Sequence, residues 1–392
     1  MSDFDAVPRF NKLPPLSLYI HIPWCIRKCP YCDFNSHAAG DELPEQAYLD
    51  ALIRDLDRDL DYVQNRPLQS IFFGGGTPSL FNAQTFDRLL EAVHKRIGFS
   101  DQIEITLEAN PGTFEQKKFA DFRKAGINRL SIGIQSFDNQ QLQRLGRVHN
   151  SSEAKQAITM AQAVGFDNFN LDLMHGLPSQ HIDEALMDLR TAIDFAPTHL
   201  SWYQLTIEAN TEFYKHPPPL PNDELRWEIF REGQALLAER GYQQYEVSAY
   251  SQTGRESLHN LNYWQFGDYL GIGAGAHGKL TLQHCHEGTA GIIRTRKSRA
   301  PRDYLRPEGQ QRHIEPINPA DIAGEYMMNA LRLNRGFSPQ AFTQYSGLPF
   351  SEIEAALQRA CELGLLTHTS DGDIQPSEKG RLFLDDLVTL FI

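Results

Sequence analysis

Three of the chain's five cysteines, Cys25, Cys29 and Cys32, fall within eight residues of the stretch IHIPWCIRKCPYCDFNSH. Sulfur donors this close serve a disulfide, a structural zinc knuckle or an iron-sulfur cluster. An odd cysteine count, unevenly distributed, does not resemble a secreted disulfide framework, and a reducing compartment keeps such thiols available to metal. A structural zinc site needs a fourth Cys or His; His37 would serve, but all four donors would then come from one loop. Three thiolates on a 4Fe-4S cluster instead leave one iron open to an external ligand, which makes a reactive centre.

The elements that position these donors repeat. Apolar runs bounded by turn signals at 17–23, 70–76, 104–110, 129–135, 168–176 and 199–207 read as six strands. Helix-period segments lie between them, as at 44–64, where Leu49, Leu52, Ile53, Leu56, Leu60 and Val63 share one face. Strands joined by crossover helices run parallel. The polar residues Cys25, Gly74 to Thr77, Glu108, Asn110, Gln135, Asp172, His175 and Glu208 sit at or just beyond the strands' C-terminal ends. Six contributing strands favour the mouth of a barrel over the single switch point of a doubly wound sheet.

The chain has 392 residues, 41% hydrophobic and 22% charged, with a formal charge of −13. Wholesale nucleic-acid binding is disfavoured by that charge. No apolar run reaches the roughly 20 residues that span a bilayer, and the N-terminus lacks a signal-peptide pattern, so a cytoplasmic location is expected. After the proline-rich HPPPLPND comes a helix expected from Asp223 to Gly241, then the glycine-rich LGIGAGAHG at 270–278. The segment 294–313 carries seven Lys and Arg against Asp303 and Glu308, and reads as a solvated run that would also suit an anionic ligand or a membrane surface. Beyond about 320, short helices, a hairpin with a Ser-Asp-Gly turn and a last helix form a winged-helix-like pattern. Five basic residues against ten acidic in 321–392 argue against DNA binding there. Cys361 reads as core. The expected segments are a lead (1–16), a barrel (17–241), an extension (242–319) and a C-terminal domain (320–392).

C-x3-C-x2-C after a first strand, followed by GGGTP at the end of the second, resembles the radical S-adenosylmethionine (SAM) superfamily. The likeness implies an α/β fold, a partial (β/α)6 TIM-type barrel with a C-terminal winged-helix-like α+β domain. It also implies a 4Fe-4S cluster on Cys25, Cys29 and Cys32 whose open iron chelates SAM. SLYIHIPWCIRKCPYCDF, FFGGGTPS, LEANP, SIGIQSF, LGRVHN and NLDLMHGLP follow one another as in the oxygen-independent coproporphyrinogen III oxidase group. That resemblance implies SAM contacts from Tyr19, Tyr31, Gly75, Gly76, Thr77, Glu108, Gln135, Arg147, Asp172 and Thr206.

Two departures point away from the oxidase. Its fourth cysteine is Phe34 here, and only 24 residues precede Cys25. HNLNYW at 259–264 instead resembles the signature of the heme chaperone (HemW) branch. This implies heme as bound cargo, with His259 leading the ligand candidates and Asn260, Tyr263 and Trp264 around it, and no catalytic residue of an oxidase. His175, His277 and the triplet His284, Cys285, His286 are further histidine sites; alternation on a strand would put both triplet histidines on one face. The implied partners are heme-accepting proteins, respiratory and membrane-bound, with peripheral membrane contact through 294–313 and a homodimer both allowed. The alternatives are an oxygen-independent coproporphyrinogen III oxidase, another SAM-dependent porphyrin-modifying enzyme, or a structural zinc protein with a regulatory winged helix.

Overall fold

The computed structural model of the chain describes residues 10, 12–40, 42–112, 118–286 and 289–392, without the side chains of 284–290. The triplet His284, Cys285, His286 therefore lies outside the described side chains, although its backbone ends the strand His277–His286.

The six expected strands form as β1 (Leu16–Ile22), β2 (Leu68–Gly75), β3 (Phe99–Ala109), β4 (Arg129–Gln135), β5 (Phe169–His175) and β6 (His199–Gln204). Each pairs with the next in parallel. Strands of a parallel sheet covered on both faces are apolar almost throughout. Leu16, Leu18, Ile20, Ile71, Phe73, Leu107, Leu130, Ile132, Leu171 and Leu200 accordingly make one core. The helix Glu45–Asp59 buries Leu49, Leu52 and Leu56 on the sheet. The helix Asp223–Glu239 comes so close to β6 that a Cβ on Gly233 would lie 1.9 Å from the Trp202 ring, so only glycine fits there.

The sheet is wider than the sequence suggested. Asp268–Ile272, which runs into the glycine-rich stretch 270–278, pairs in parallel with β1 on its other side. His277–His286, Thr289–Arg296 and His313–Pro316 continue from it antiparallel, and Ala249–Ser251 with Gln243–Gln244 close the edge beyond β6. Among the described residues these twelve strands make one sheet, an open barrel with an antiparallel extension.

The basic segment is only partly solvated: Arg296, Arg299, Arg302 and Arg306 are exposed, but its other cations are paired. Lys297 is buried, with Nζ 2.5 Å from Asp55 and 2.9 Å from Asp59, both on the helix Glu45–Asp59. Arg312 reaches Asp59 at 3.3 Å, and Arg294 pairs with Glu325 of the C-terminal domain. Buried charges persist only when paired, so these cations fasten the extension to the barrel and to its neighbour domain.

Residues Ile322–Ala330, Pro339–Ser346 and Ser351–Glu362 are helices, followed by the hairpin Leu366–His368 with Ile374–Pro376. The last helix breaks at Phe383 into Glu378–Leu382 and Leu384–Thr389. Tyr326, Met327, Phe342, Ile353 and Leu357 form this domain's core, which also takes in Phe266 and Ile292 of the extension; Cys361 is half-buried against it. No described helix is long and apolar enough to cross a membrane.

Candidate functional site

The three cysteines occupy the loop after β1. Trp24–Cys25 pairs in parallel with His37–Ala38, closing the loop on itself, while Cys32 donates its N–H to the Cys29 carbonyl at 3.1 Å. Two backbone bonds anchor the loop to the glycines after β2, from Gly76 N–H to Ile22 O (2.8 Å) and from Thr77 N–H to Trp24 O (2.7 Å). A Cβ on Gly76 would stand 2.5 Å from the Trp24 carbonyl oxygen, so the glycine run is a steric requirement of bringing the two loops together. Gly75, at φ +115°, lies against the His21 ring.

No group of three His, Cys, Asp or Glu among the described residues is gathered tightly enough for a single metal ion. One zinc ion draws all its donors within about 2.3 Å of itself, whereas a four-iron cube takes each thiolate at a separate corner. Three cysteines match the donor number of such a cube with one corner left for an external ligand. Burial, with the neighbouring thiols as a lesser cause, pushes the Cys25 and Cys32 thiols up. Arg147 donates to Cys29 Sγ at 3.5 Å, a cation facing the loop where thiolates would gather negative charge.

The polar residues at the strand ends converge beside this loop. Glu108 accepts the Gly75 N–H at 3.1 Å. Arg147 bonds Asn110 Oδ1 at 2.6 Å and the Gly133 carbonyl at 2.8 Å, and Asn110 donates in turn to Thr77 Oγ1 at 2.9 Å. Tyr203 donates to Gln135 Oε1 at 2.7 Å. Gln135 holds φ +69°, a left-handed conformation that costs a non-glycine residue energy and marks a constrained site. Asp172 accepts from Asn170 at 2.7 Å and Ser131 at 3.0 Å.

The electrostatics of this mouth ask for a cation. Burial, with the Asp172 carboxylate as a second cause, pushes Glu108 up to about 8; burial also raises Asp172. Two carboxyls that repel each other in a low-dielectric site are relieved by a positively charged ligand. The SAM ammonium and sulfonium are such charges, so the donor set fits both groups of a radical SAM site.

Tyr31 lies near Cys29 and Arg147. Thr206 is exposed and donates to Glu208 at 2.9 Å, the outermost of the expected SAM contacts. Tyr19, Gly75, Glu108, Phe34 and Tyr263 are among the residues lining a cavity of about 650 Å³.

Sequence reasoning passed over several residues here. His21 accepts the Tyr19 hydroxyl at Nδ1 (2.9 Å), so its Nε2 donates to the Asn35 carbonyl (2.8 Å). Asn35 bonds the carbonyls of Ala274 and Arg299, both at 2.9 Å, and so ties the cysteine loop to the extension. Arg296 and Arg299 line the same cavity, beside His277, which the sequence had offered as a further histidine site. His21 looks like an ordinary strand residue, and Arg296 and Arg299 sit inside a run that reads as surface; only the fold brings them to the mouth.

The HNxxYW residues form the helix Leu258–Trp264, capped by Ser257. His259 is 2% exposed. Its Nδ1 is 2.8 Å from Ser70 Oγ and its Nε2 3.0 Å from the Tyr263 hydroxyl. Ser70 spends its proton on Ser17 at 2.8 Å, so Nδ1 donates to Ser70 and Nε2 accepts from Tyr263. The Nε2 electron pair is thus covered by Tyr263, which lines the cavity. Burial draws His259 down to about 3, so the imidazole is neutral. Trp264 turns the other way and lies 4.2 Å beneath the Arg332 guanidinium.

Residues 19–192 match the model of the radical SAM superfamily, and residues 317–383 match the HemN C-terminal domain. The chain is 51% identical to a protein from Haemophilus influenzae named heme chaperone HemW, over 97% of this chain and 99% of that one. It is 50% identical to the Escherichia coli protein of the same name, with the same coverage. A bovine mitochondrial radical S-adenosyl methionine domain-containing protein is 35% identical over 95% of this chain and 86% of its own. Among solved structures, coproporphyrinogen III oxidase (HemN) from Escherichia coli superposes with a TM-score of 0.79 at 22% identity, covering 97% of this chain and 90% of that one, which establishes the fold.

Proposed function

The chain belongs to the radical SAM superfamily and, within it, to the heme chaperone HemW family, and from that premise we propose that it binds heme beside its cluster and SAM and hands the heme to acceptor proteins. Membership implies a 4Fe-4S cluster and SAM. Cys25, Cys29 and Cys32 would hold the cluster, Gly75, Gly76 and Thr77 the methionyl end of SAM, and Glu108 with Asp172 its positive charge. A bound cluster of this type supplies the electron that cleaves SAM in the superfamily's enzymes. The protein's own part is positioning: Arg147 and Asn110 fix Thr77, and Tyr19 is held by His21.

The observation that supports the heme reading is Tyr263, which lines the cavity together with Tyr19, Gly75 and Glu108 and whose hydroxyl caps the buried His259 behind it. A neutral imidazole whose Nε2 is capped by one hydroxyl becomes an iron ligand when Tyr263 swings aside. Tyr263 would then cover the macrocycle, and Asn260 and Trp264 hold the helix that carries both. Phe34, 62% exposed at the rim, offers an apolar face where the oxidase has its fourth cysteine. This supports holding a tetrapyrrole in preference to decarboxylating one. Acceptors would be respiratory hemoproteins.

The test is an anaerobic comparison. Reconstituted chain should bind hemin, pass it to an apo-hemoprotein, and form no protoporphyrinogen from coproporphyrinogen III with SAM and reductant. His259→Ala should weaken hemin binding. Turnover of coproporphyrinogen III would establish the oxidase instead.

A further inference from the structure

Charge is unevenly placed around the cavity at the barrel mouth. Among the described residues Glu108 is the one acid lining it, and Arg296, Lys297 and Arg299 are its cations. Lys297 is committed to Asp55 and Asp59 of the helix Glu45–Asp59. Successive residues of a strand face opposite ways, so the alternation that buries Lys297 leaves Arg296 on the other face, directly across from His277 in the strand register.

Arg299 follows just beyond that strand, and its backbone is held in place. Its carbonyl accepts Asn35 Nδ2 at 2.9 Å, and the neighbouring Ser298 carbonyl accepts the Gly275 N–H at 2.8 Å. A Cβ on Gly275 would stand 2.3 Å from the Asn35 amide and 3.5 Å from Arg299 Cα. The cysteine loop, the glycine turn and the start of the basic run therefore cross closely here, and the crossing sets Arg299 at the cavity.

The two guanidiniums are uncommitted. Arg296 and Arg299 are exposed, and neither side chain has a hydrogen bond or an acidic partner among the described residues. Burial first, then Arg294, Arg296 and Arg299, lower His277, so its imidazole is neutral at neutral pH and the free charge of this wall is that of the two arginines. Like charges on one wall repel each other, and an anion relieves them. Guanidinium groups recognise carboxylates through paired hydrogen bonds.

SAM does not need this pair. It brings a single carboxylate, which the open iron of a cluster would take, and its positive charge belongs at Glu108. Much of the remaining lining is aromatic, with Tyr19, Phe34, Tyr263 and Tyr269. A flat unsaturated body carrying more than one carboxylate suits both the rings and the arginines. We infer that Arg296 and Arg299 form a carboxylate clamp in this cavity, which takes the propionates of a tetrapyrrole and so selects cargo with free acid side chains. The inference rests on the reading that heme is the cargo.

Titration of the reconstituted full-length chain with hemin and with hemin dimethyl ester, both presented from the same detergent, tests it. The unaltered chain should bind hemin about tenfold more tightly than the ester, the worth of two partly solvated charged contacts. Arg296→Ala combined with Arg299→Ala should bind both alike, at the ester's affinity, with iron content and SAM affinity unchanged. Arg302→Ala combined with Arg306→Ala removes the same charge from exposed positions outside the cavity lining, and should keep the preference for hemin. Equal binding of hemin and its ester by the unaltered chain, or a preference that survives in the Arg296 and Arg299 variant, overturns the clamp and leaves the functional reading standing. Loss of SAM affinity with unchanged hemin binding also overturns it, because the arginines would then serve the SAM carboxylate. No hemin binding by the unaltered chain overturns both.

Discussion

Glu108 accepts the backbone N–H of Gly75 at 3.1 Å, so the carboxylate at the end of β3 is fixed against the glycine run at the end of β2. That contact puts a carboxyl held up to about 8, by burial first and Asp172 second, at the place where a ligand's ammonium would sit.

The sign of its pH dependence follows. The folded chain keeps a proton on Glu108 that the unfolded chain releases near 4.5, so this group's contribution to stability is full below 4.5 and falls as pH rises from there through about 8. A cationic ligand favours the ionised form. SAM affinity should therefore rise with pH up to about 8, and binding should release a proton, measurable by calorimetry in buffers of different ionisation enthalpy. Glu108→Gln should stabilise the unliganded chain at pH 8 and weaken SAM binding by about tenfold or more.

Gly76→Ala places a methyl group 2.5 Å from the Trp24 carbonyl oxygen, one residue before Cys25. The cysteine loop must shift to admit it. We expect a loss of about 1–3 kcal/mol in thermal unfolding and reduced iron content, with every cysteine still present.

Lys297→Met leaves Asp55 and Asp59 buried without the cation they share. Breaking one side of a buried ion pair costs about 3–5 kcal/mol. Denaturant unfolding should show that loss, and Asp55→Asn in the same chain should restore part of it. If the segment were instead a solvated surface, unfolding would not change.

Tyr263→Phe removes the hydroxyl that caps His259 Nε2 at 3.0 Å. Hemin binding should hold or tighten by about threefold, the worth of one net hydrogen bond. His259→Ala should weaken it. Equal weakening by both variants would mean that the pair acts only by packing.

Much of this architecture was legible because a parallel sheet needs long apolar runs and ends them in polar residues. β1 to β6 and the Glu45–Asp59 helix carry those patterns openly, and so do the cysteine and glycine loops at the strand ends. The seventh parallel strand, Asp268–Ile272, was hidden because it is short and runs straight into glycines. Lys297 and Asp55 lie 242 positions apart, so no local pattern could separate a buried ion pair from a solvated basic run. His259 was picked out by its motif, but which of its nitrogens is covered depends on Ser70 and Tyr263 meeting it in three dimensions.

The most direct test of the site is metal and sulfide analysis, with electron paramagnetic resonance of the reduced protein, on anaerobically prepared chain and on Cys25→Ala, Cys29→Ala and Cys32→Ala. Three thiolates around a cube predict about four iron and four sulfide per chain, a reduced-cluster signal that SAM perturbs, and loss of that signal in each variant. Zinc without sulfide, or a cluster that survives the loss of any one of these cysteines, would contradict the account.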